Sequence, residues 1–339
     1  MKKRTLFAAF LALLLAGCSD SDTGTTRSTT ATGQSPAYTI AGLQFLSEAN
    51  PEWQFGQLRL YPIVAQKGVI TAGDALPVLK TLAEAMEMHG FRITERKRFG
   101  RGNEAWYNAL TVQNKSQDPV FLMAGDVVQG GNQDRVIAYD DVIQPGSLKN
   151  IDVFCVESGR SSYFDPKAPE SEKRVAAFRG YYNVASPQVR KAVYNGDQRG
   201  VWDAVASVTA SNKAESHTNA YAALEIENEQ KAKREACLHF FQGKFSDIPN
   251  VAGMVAVCNG QVLGVDIFSR PELFKRQFNA LLHGYAAEAA VAPTAPSGAD
   301  RLAQDAFKSV AMLAEPNAKE SETAGKFSLN GNWVHLFRK

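Results

Sequence analysis

The chain has 339 residues, 45% hydrophobic and 21% charged, enough to bury a large core as one or two domains. Its 37 Lys and Arg against 35 Asp and Glu give a formal charge of +2, and three of those cations, Lys2, Lys3 and Arg4, stand at the N-terminus. Without them the balance is 34 to 35, or −1, which lacks the basic surplus of a nucleic-acid-binding chain, so no nucleic-acid partner is expected.

Lys2, Lys3 and Arg4 precede an uninterrupted apolar run over residues 6–16, and Ala16-Gly17-Cys18 closes it. A cationic segment, a short apolar stretch and small residues before a cysteine form an export signal, too short to span a bilayer as a mature helix. The ending is similar to the lipobox of bacterial lipoproteins, which implies cleavage after residue 17 and lipid attachment at Cys18. A plain secretory signal is the alternative. Ser19 stands where aspartate marks inner-membrane retention, so in a two-membrane source the expected place is the outer membrane, facing the periplasm. Residues 19–35 are almost wholly small and polar, a flexible tether with an r.m.s. reach of roughly 23 Å. The expected organisation is a signal peptide over 1–17, a lipidated cysteine and tether over 18–36, a domain over 37–290, and a linker, helix and terminal strand over 291–339.

Within the domain, residues 38–46 and 58–65 predict strands. Residues 74–89 predict an amphipathic helix: Leu76, Leu79, Ala83 and Met86 share a face, Asp74 can cap it, and Gly90 can end it. Strands are expected over 91–96, 105–112, 120–124, 135–139 and 151–156, and the basic cluster at 92–101 fits the solvated face of a hairpin. From 171 to 245 the period is helical. Residues 255–265 then predict a hairpin about Asn259-Gly260, residues 271–290 a helix, 301–314 another, and 327–337 a hairpin about Asn330-Gly331. The fold class is therefore α+β, a mixed or antiparallel sheet with a helical block inserted before a late hairpin that rejoins it.

Polar residues concentrate in two segments. The first follows an apolar strand and contains Asp126, Gly130, Gly131, Gln133 and Arg135. Paired glycines can aim backbone N–H groups at an anion, and arginine adds a forked donor. A polar turn shaped by glycine is the simpler alternative. The second segment ends a strand with both faces apolar and carries Cys155, Glu157 and Arg160. Glu157 and Asp126 are candidate acid/base carboxylates, and Arg135 and Arg160 candidate substrate-binding cations; pairing inside a structural core is the competing use. A strand leading into Cys155 and then Gly159-Arg160-Ser161 is also similar to the loop of rhodaneses and phosphatases. The Cys-to-Arg spacing is one residue short of the tyrosine-phosphatase loop, however, and Pro166 and Pro169 interrupt the helix that should follow.

Three cysteines remain after Cys18, namely Cys155, Cys237 and Cys258; at most one bridge can form among them, and the simpler reading is three small buried hydrophobes. The five histidines fall into no ligand pair, so no metal site and no cofactor are expected.

Ala124-Gly125-Asp126, the run from Gly130 to Arg135, Pro145, the run from Val153 to Arg160, and Gln198 with Val201-Trp202 together resemble the ARG and rhodanese-phosphatase-superfamily-associated protein domain. The resemblance covers about residues 43–290 and departs at Ser161, where an aromatic residue is expected. The family's activity is unassigned. Its name implies ligands such as ADP-ribose or other phosphorylated small molecules, so the partners expected here are a membrane, through the lipid, and a small anionic ligand, with oligomeric state open. A hydrolase built on the same residues is one alternative, and a scaffold lipoprotein with no small-molecule site is another.

Overall fold

A computed structural model describes residues 38–47, 50–95, 108–159, 177–293 and 299–339. The signal, Cys18, the tether and Arg160 lie outside the described residues, as do parts of the 92–101 cluster and of the 291–300 linker.

Three sheets organise the domain. The largest is built from both ends of the chain: β1 (Tyr38–Ile40), β2 (Leu43–Phe45), β3 (Gln54–Phe55) and β4 (Leu58–Ala65) come early. After α1 (Lys67–Asp74) the chain forms β5 (Lys80–Thr81), α2 (Leu82–Met86), β6 (Phe91–Glu95), β7 (Ala109–Asn114), β8 (Val120–Leu122), β9 (Asp126–Gly130), β10 (Arg135–Ile137), β11 (Asp141–Ile143), β12 (Ser147–Cys155) and β13 (Ala177–Val184). A helical block follows, with α3 (Pro187–Tyr194), α4 (Gln198–Ser211) and α5 (Glu229–Phe241). The chain then returns through β14 (Val251–Cys258), β15 (Gln261–Phe268), α6 (Pro271–Ala289), α7 (Ala299–Ala311), β16 (Ala324–Leu329) and β17 (Asn332–Arg338).

The large sheet runs β1-β2-β4-β14-β15-β17-β16, with β3 also on β4; β10-β12-β7-β6-β13-β9 close a barrel; β11-β8-β5 form a small third sheet. Every ladder is antiparallel except β5 with β8. The late hairpin rejoins the early sheet, β14 pairing with β4 along nearly its whole length. The fold is α+β.

Alternation decides which side each strand residue serves. On β14, Met254 and Ala256 enter the core beneath α6, while Val255 and Val257 enter the one beneath α7. A strand buried on both faces reads as continuous hydrophobics, as Val-Ala-Gly-Met-Val-Ala-Val-Cys does. In the barrel, Val128, Ile137 and Val153 point inward, and their neighbours Val127, Val136 and Phe154 point outward onto α3 and α4. By the same parity Arg135 shares the inward side with Ile137.

Four expectations are corrected. Residues 38–46 are two strands, because Ala41 and Gly42 take φ of 48° and 76° and turn the chain into a hairpin. The helix expected from Asp74 ends there instead. Pro77 disfavours helix before it, and Thr81 provides the next start: its hydroxyl accepts the Glu84 N–H (3.2 Å) and the Glu84 carboxylate accepts its own (2.7 Å). The helical period from 171 hides β13, whose aromatic residues suit a pleated surface, and β13 closes the barrel. The polar segment from Asp126 to Arg135, for which no strand is expected before 135, is β9 and the start of β10 joined by a tight turn.

Both Asn-Gly pairs turn as expected, with φ of 51° and 69° at 259–260 and 52° and 83° at 330–331. The residues after 290, anticipated as an extension, supply α7 to one face of the large sheet, and β17 pairs with β15. Among the described residues no helix is long and apolar enough to cross a membrane.

Candidate functional site

The residues singled out in sequence separate into two places. At one end of the barrel, Gly131 has a φ of 56°, and a Cβ there would lie 2.5 Å from the Phe178 ring and 2.7 Å from Glu95 Oε1. Glycine thus lets the turn sit down on Glu95, whose carboxylate accepts the Asn132 N–H (3.0 Å). The Gly130 N–H donates to Asp134 (3.0 Å), and the Asp134 N–H to Glu157 (3.2 Å). The turn has the expected inward-aimed donors, but the chain's own carboxylates accept them. Arg135 is 1% exposed, with Nη2 3.3 Å from Glu95 and Nη1 donating to Gln133 (3.1 Å). Gly130, Gly131, Gln133, Arg135 and Glu157 are therefore neighbours in one largely buried network.

Cys155 lies opposite Arg135 in the β10–β12 ladder. The side-chain amide of Gln198 clamps its backbone, accepting its N–H (2.8 Å) and donating to its carbonyl (2.9 Å). Burial pushes the Cys155 thiol up, against the attraction of Arg135, which suits a buried hydrophobe and not a nucleophile.

Asp126 stands at the opposite end of β9, roughly 13 Å along the strand from Gly130. It does not share a site with Glu157. Fully buried, its carboxyl accepts the Met123 N–H and the Tyr181 hydroxyl, both at 2.8 Å. Burial pushes its pKa up to about 7, against those two hydrogen bonds.

Asp126 borders a second cluster that sequence reasoning did not find. At its centre Asp266, on β15, accepts two hydrogen bonds from Arg190 of α3 (2.6 and 3.1 Å) and one from the Tyr285 hydroxyl of α6. His335 of β17 places Nε2 3.2 Å from Asp266 and Nδ1 2.7 Å from Asp140, which also accepts the Ala124 N–H (2.7 Å). The imidazole stacks on Phe268 (4.4 Å between centroids, 9° between planes) and on Phe337 (5.0 Å, 29°). Burial opposes charge on His335, yet the flanking Asp140 and Asp266 carboxylates outweigh it and raise its pKa. Burial likewise opposes charge on Asp266, but Arg190 and His335 hold its carboxyl far below the usual range. Both ring nitrogens of His335 thus face carboxylate oxygens, which calls for two N–H donors and hence an imidazolium, and Asp126 lies beside the cluster. Gly125 has a φ of 101°, and a Cβ there would lie 2.8 Å from Arg190 Cγ, so the Gly125-Asp126 pair both admits the arginine and flanks it.

Arg190 and Tyr194 also line a cleft of ≈ 330 Å³. Lys191 of α3, Glu288, and Arg338 and Lys339 at the end of β17 contribute to its walls. Lys339 pairs with Glu320 (2.7 Å) and Arg190 with Asp266. Lys191 and Arg338 have no carboxylate partner among the described residues. Burial raises the Glu288 pKa, and its carboxyl is already engaged by the Gln188 N–H (2.6 Å). The cleft is therefore cationic. A second cleft, of ≈ 440 Å³, has an apolar base of Phe245, Phe274 and Phe278. Among the described residues no group of three or more His, Cys, Asp or Glu side chains could hold a metal ion.

The model of the ARG and Rhodanese-Phosphatase-superfamily-associated Protein domain matches residues 47–335. The chain belongs to this family. The matched span runs past residue 290, so it takes in both clusters, α7 and His335. No curated protein and no solved structure matches the chain.

Asp126 gives stability a definite pH dependence. Its pKa is higher folded than unfolded, so its protonated form stabilises the fold fully below about pH 4 and that contribution is lost as pH rises through about 7. Urea denaturation between pH 4 and 8 should show Asp126→Asn, which cannot ionise, losing less stability with rising pH than the parent, by roughly 4 kcal/mol at full titration. Parallel stability curves would contradict the assignment.

Proposed function

We propose that this protein is a lipid-anchored component of the cell envelope whose domain binds a small anionic ligand in the cleft beside Arg190. The observation that carries the reading is the charge of the cleft: four cationic side chains line it against one side-chain carboxyl group, and two of those cations have no carboxylate partner among the described residues. Concave sites with a few convergent charges are the common form of small-molecule sites. ADP-ribose or another phosphorylated small molecule, which the family's name suggests, falls within this class of ligand.

The geometry favours binding over hydrolysis. Asp126 and Glu157, the two carboxylates suited in sequence to acid/base work, are both buried and lie at different ends of the barrel. Neither lines the cleft. A general acid and base must both reach the reacting atoms within hydrogen-bond distance.

Thermal denaturation of the full chain with inorganic phosphate or pyrophosphate tests the binding reading. At a hundred times Kd the ligand should add about 2.7 kcal/mol of stability. A Lys191→Ala, Arg338→Ala double variant should lose most of that gain while its ligand-free melting temperature stays near the parent's. No gain in the parent, or a gain unchanged in the double variant, would refute the site.

Anchoring rests on the cationic start, the apolar run and Cys18. Fractionation of cells producing Cys18→Ala should find an unlipidated precursor that still carries its signal and is mislocalised relative to the parent. Normal membrane retention of that variant would remove the anchor from the account.

A further inference from the structure

Three features of the cleft bear on what kind of anion it holds. The first is size. At ≈ 330 Å³ it stands at the low end of small-molecule sites. A ligand with two ring systems joined by a pyrophosphate would leave much of itself in solvent.

The second feature is the aromatic surface. Tyr194 is the one aromatic side chain among the residues lining the cleft. Its ring already stacks on Phe337, with centroids 5.2 Å apart and planes at 20°, and the Arg190 guanidinium lies 6.0 Å from its centroid. Nucleobases are ordinarily held by stacking on an available aromatic face. This ring is already engaged.

The third feature is the polar inventory beside the cations. Lys191 belongs to α3 and Arg338 to β17, so the unpaired positive charges come from two separate elements, as a clamp on one oxyanion requires. The amides of Gln188 and Gln261 and the carboxyl of Glu288 complete the polar lining. Amides both donate and accept, and a carboxyl accepts, which is the complement of alcohol hydroxyls. Phosphate oxygens would take the cations, leaving these groups for a polyol.

Resting on the anion-binding reading above, we propose that the cleft beside Arg190 takes a monosaccharide-sized phosphomonoester, recognising its phosphate through Lys191 and Arg338 and its hydroxyls through Gln188 and Gln261. A nucleotide or a dinucleotide-sized diphosphate is the poorer fit, for want of volume and of a free ring to stack on.

Calorimetric titration of the full chain with ribose 5-phosphate, ribose, inorganic phosphate and ADP-ribose tests this class. Ribose 5-phosphate should bind at least tenfold more tightly than phosphate or ribose alone, and more tightly than ADP-ribose. Lys191→Ala should weaken phosphate and ribose 5-phosphate alike, by roughly tenfold. Gln261→Ala, at an exposed position on β15, should weaken ribose 5-phosphate and leave phosphate unchanged. Phosphate binding as tightly as ribose 5-phosphate would reduce the cleft to a simple anion site, and tighter binding of ADP-ribose would overturn the size and stacking argument. Either result leaves anion binding standing, whereas failure of every phosphate to bind removes both proposals together.

Discussion

A carboxylate that water cannot reach must find its solvation in the protein, and Asp266 finds it on three elements at once. Arg190 reaches it from α3, Tyr285 from α6 and His335 from β17. Removing one partner from a buried charge pair typically costs about 3–5 kcal/mol, because the other charge is left unsolvated. That penalty constrains where α3, α6 and β17 can lie against β15. His335 extends the constraint to Asp140, and Asp140 to the Ala124 N–H, so the edge of the barrel is tied to the large sheet through an imidazole. Gly125 serves the same junction by leaving room for the arginine.

The cleft is a by-product of this arrangement as much as a neighbour of it. Arg190 satisfies Asp266 inside and lines the cleft outside, while β17, held through His335, ends in Arg338 and so carries a second cation to the same place. The buried cluster is near electroneutral. The wall of the cleft is not. Charge that can attract a ligand therefore lies where the fold has no internal use for it, on Lys191 and Arg338. The barrel end illustrates the opposite case: Gly130, Asn132 and Asp134 present N–H groups as an anion nest would, and Asp134, Glu95 and Glu157 fill it from within.

Much of the fold was legible because its strongest elements are local. Residues 58–65 form the strand their pattern predicts, the two Asn-Gly hairpins turn where left-handed backbone is cheapest, and α6 follows its apolar period almost to the residue. Boundaries failed where tertiary partners overrode local preference. Leu76 and Leu79 fit a helical stripe with Ala83 and Met86, yet they enter the core from the irregular segment between α1 and Thr81. β13 was hidden in a helical stretch because its pairing partners lie some fifty residues or more upstream. The polar concentrations around Asp126, Arg135 and Glu157 do mark buried networks, but their division between the two ends of β9 needs a strand that the sequence pattern does not predict. Asp140, Arg190, Asp266 and His335 share no spacing at all. The signal available for two of them was a single polar residue inside an apolar strand, Asp266 in Val-Asp-Ile-Phe and His335 in Val-His-Leu-Phe, since such residues are seldom fully buried unless paired.

The claim on which the account turns is that His335 is a buried imidazolium bridging two carboxylates. Nitrogen NMR of the full chain labelled at histidine, recorded near neutral pH, reads the protonation of each ring nitrogen directly. Both Nδ1 and Nε2 of His335 should carry a proton, and keep it to a pH above the ordinary histidine value of about 6.5. A neutral ring with one bare nitrogen at neutral pH would contradict the charge balance around Asp266, and with it the way that Arg190 and β17 are held beside the cleft.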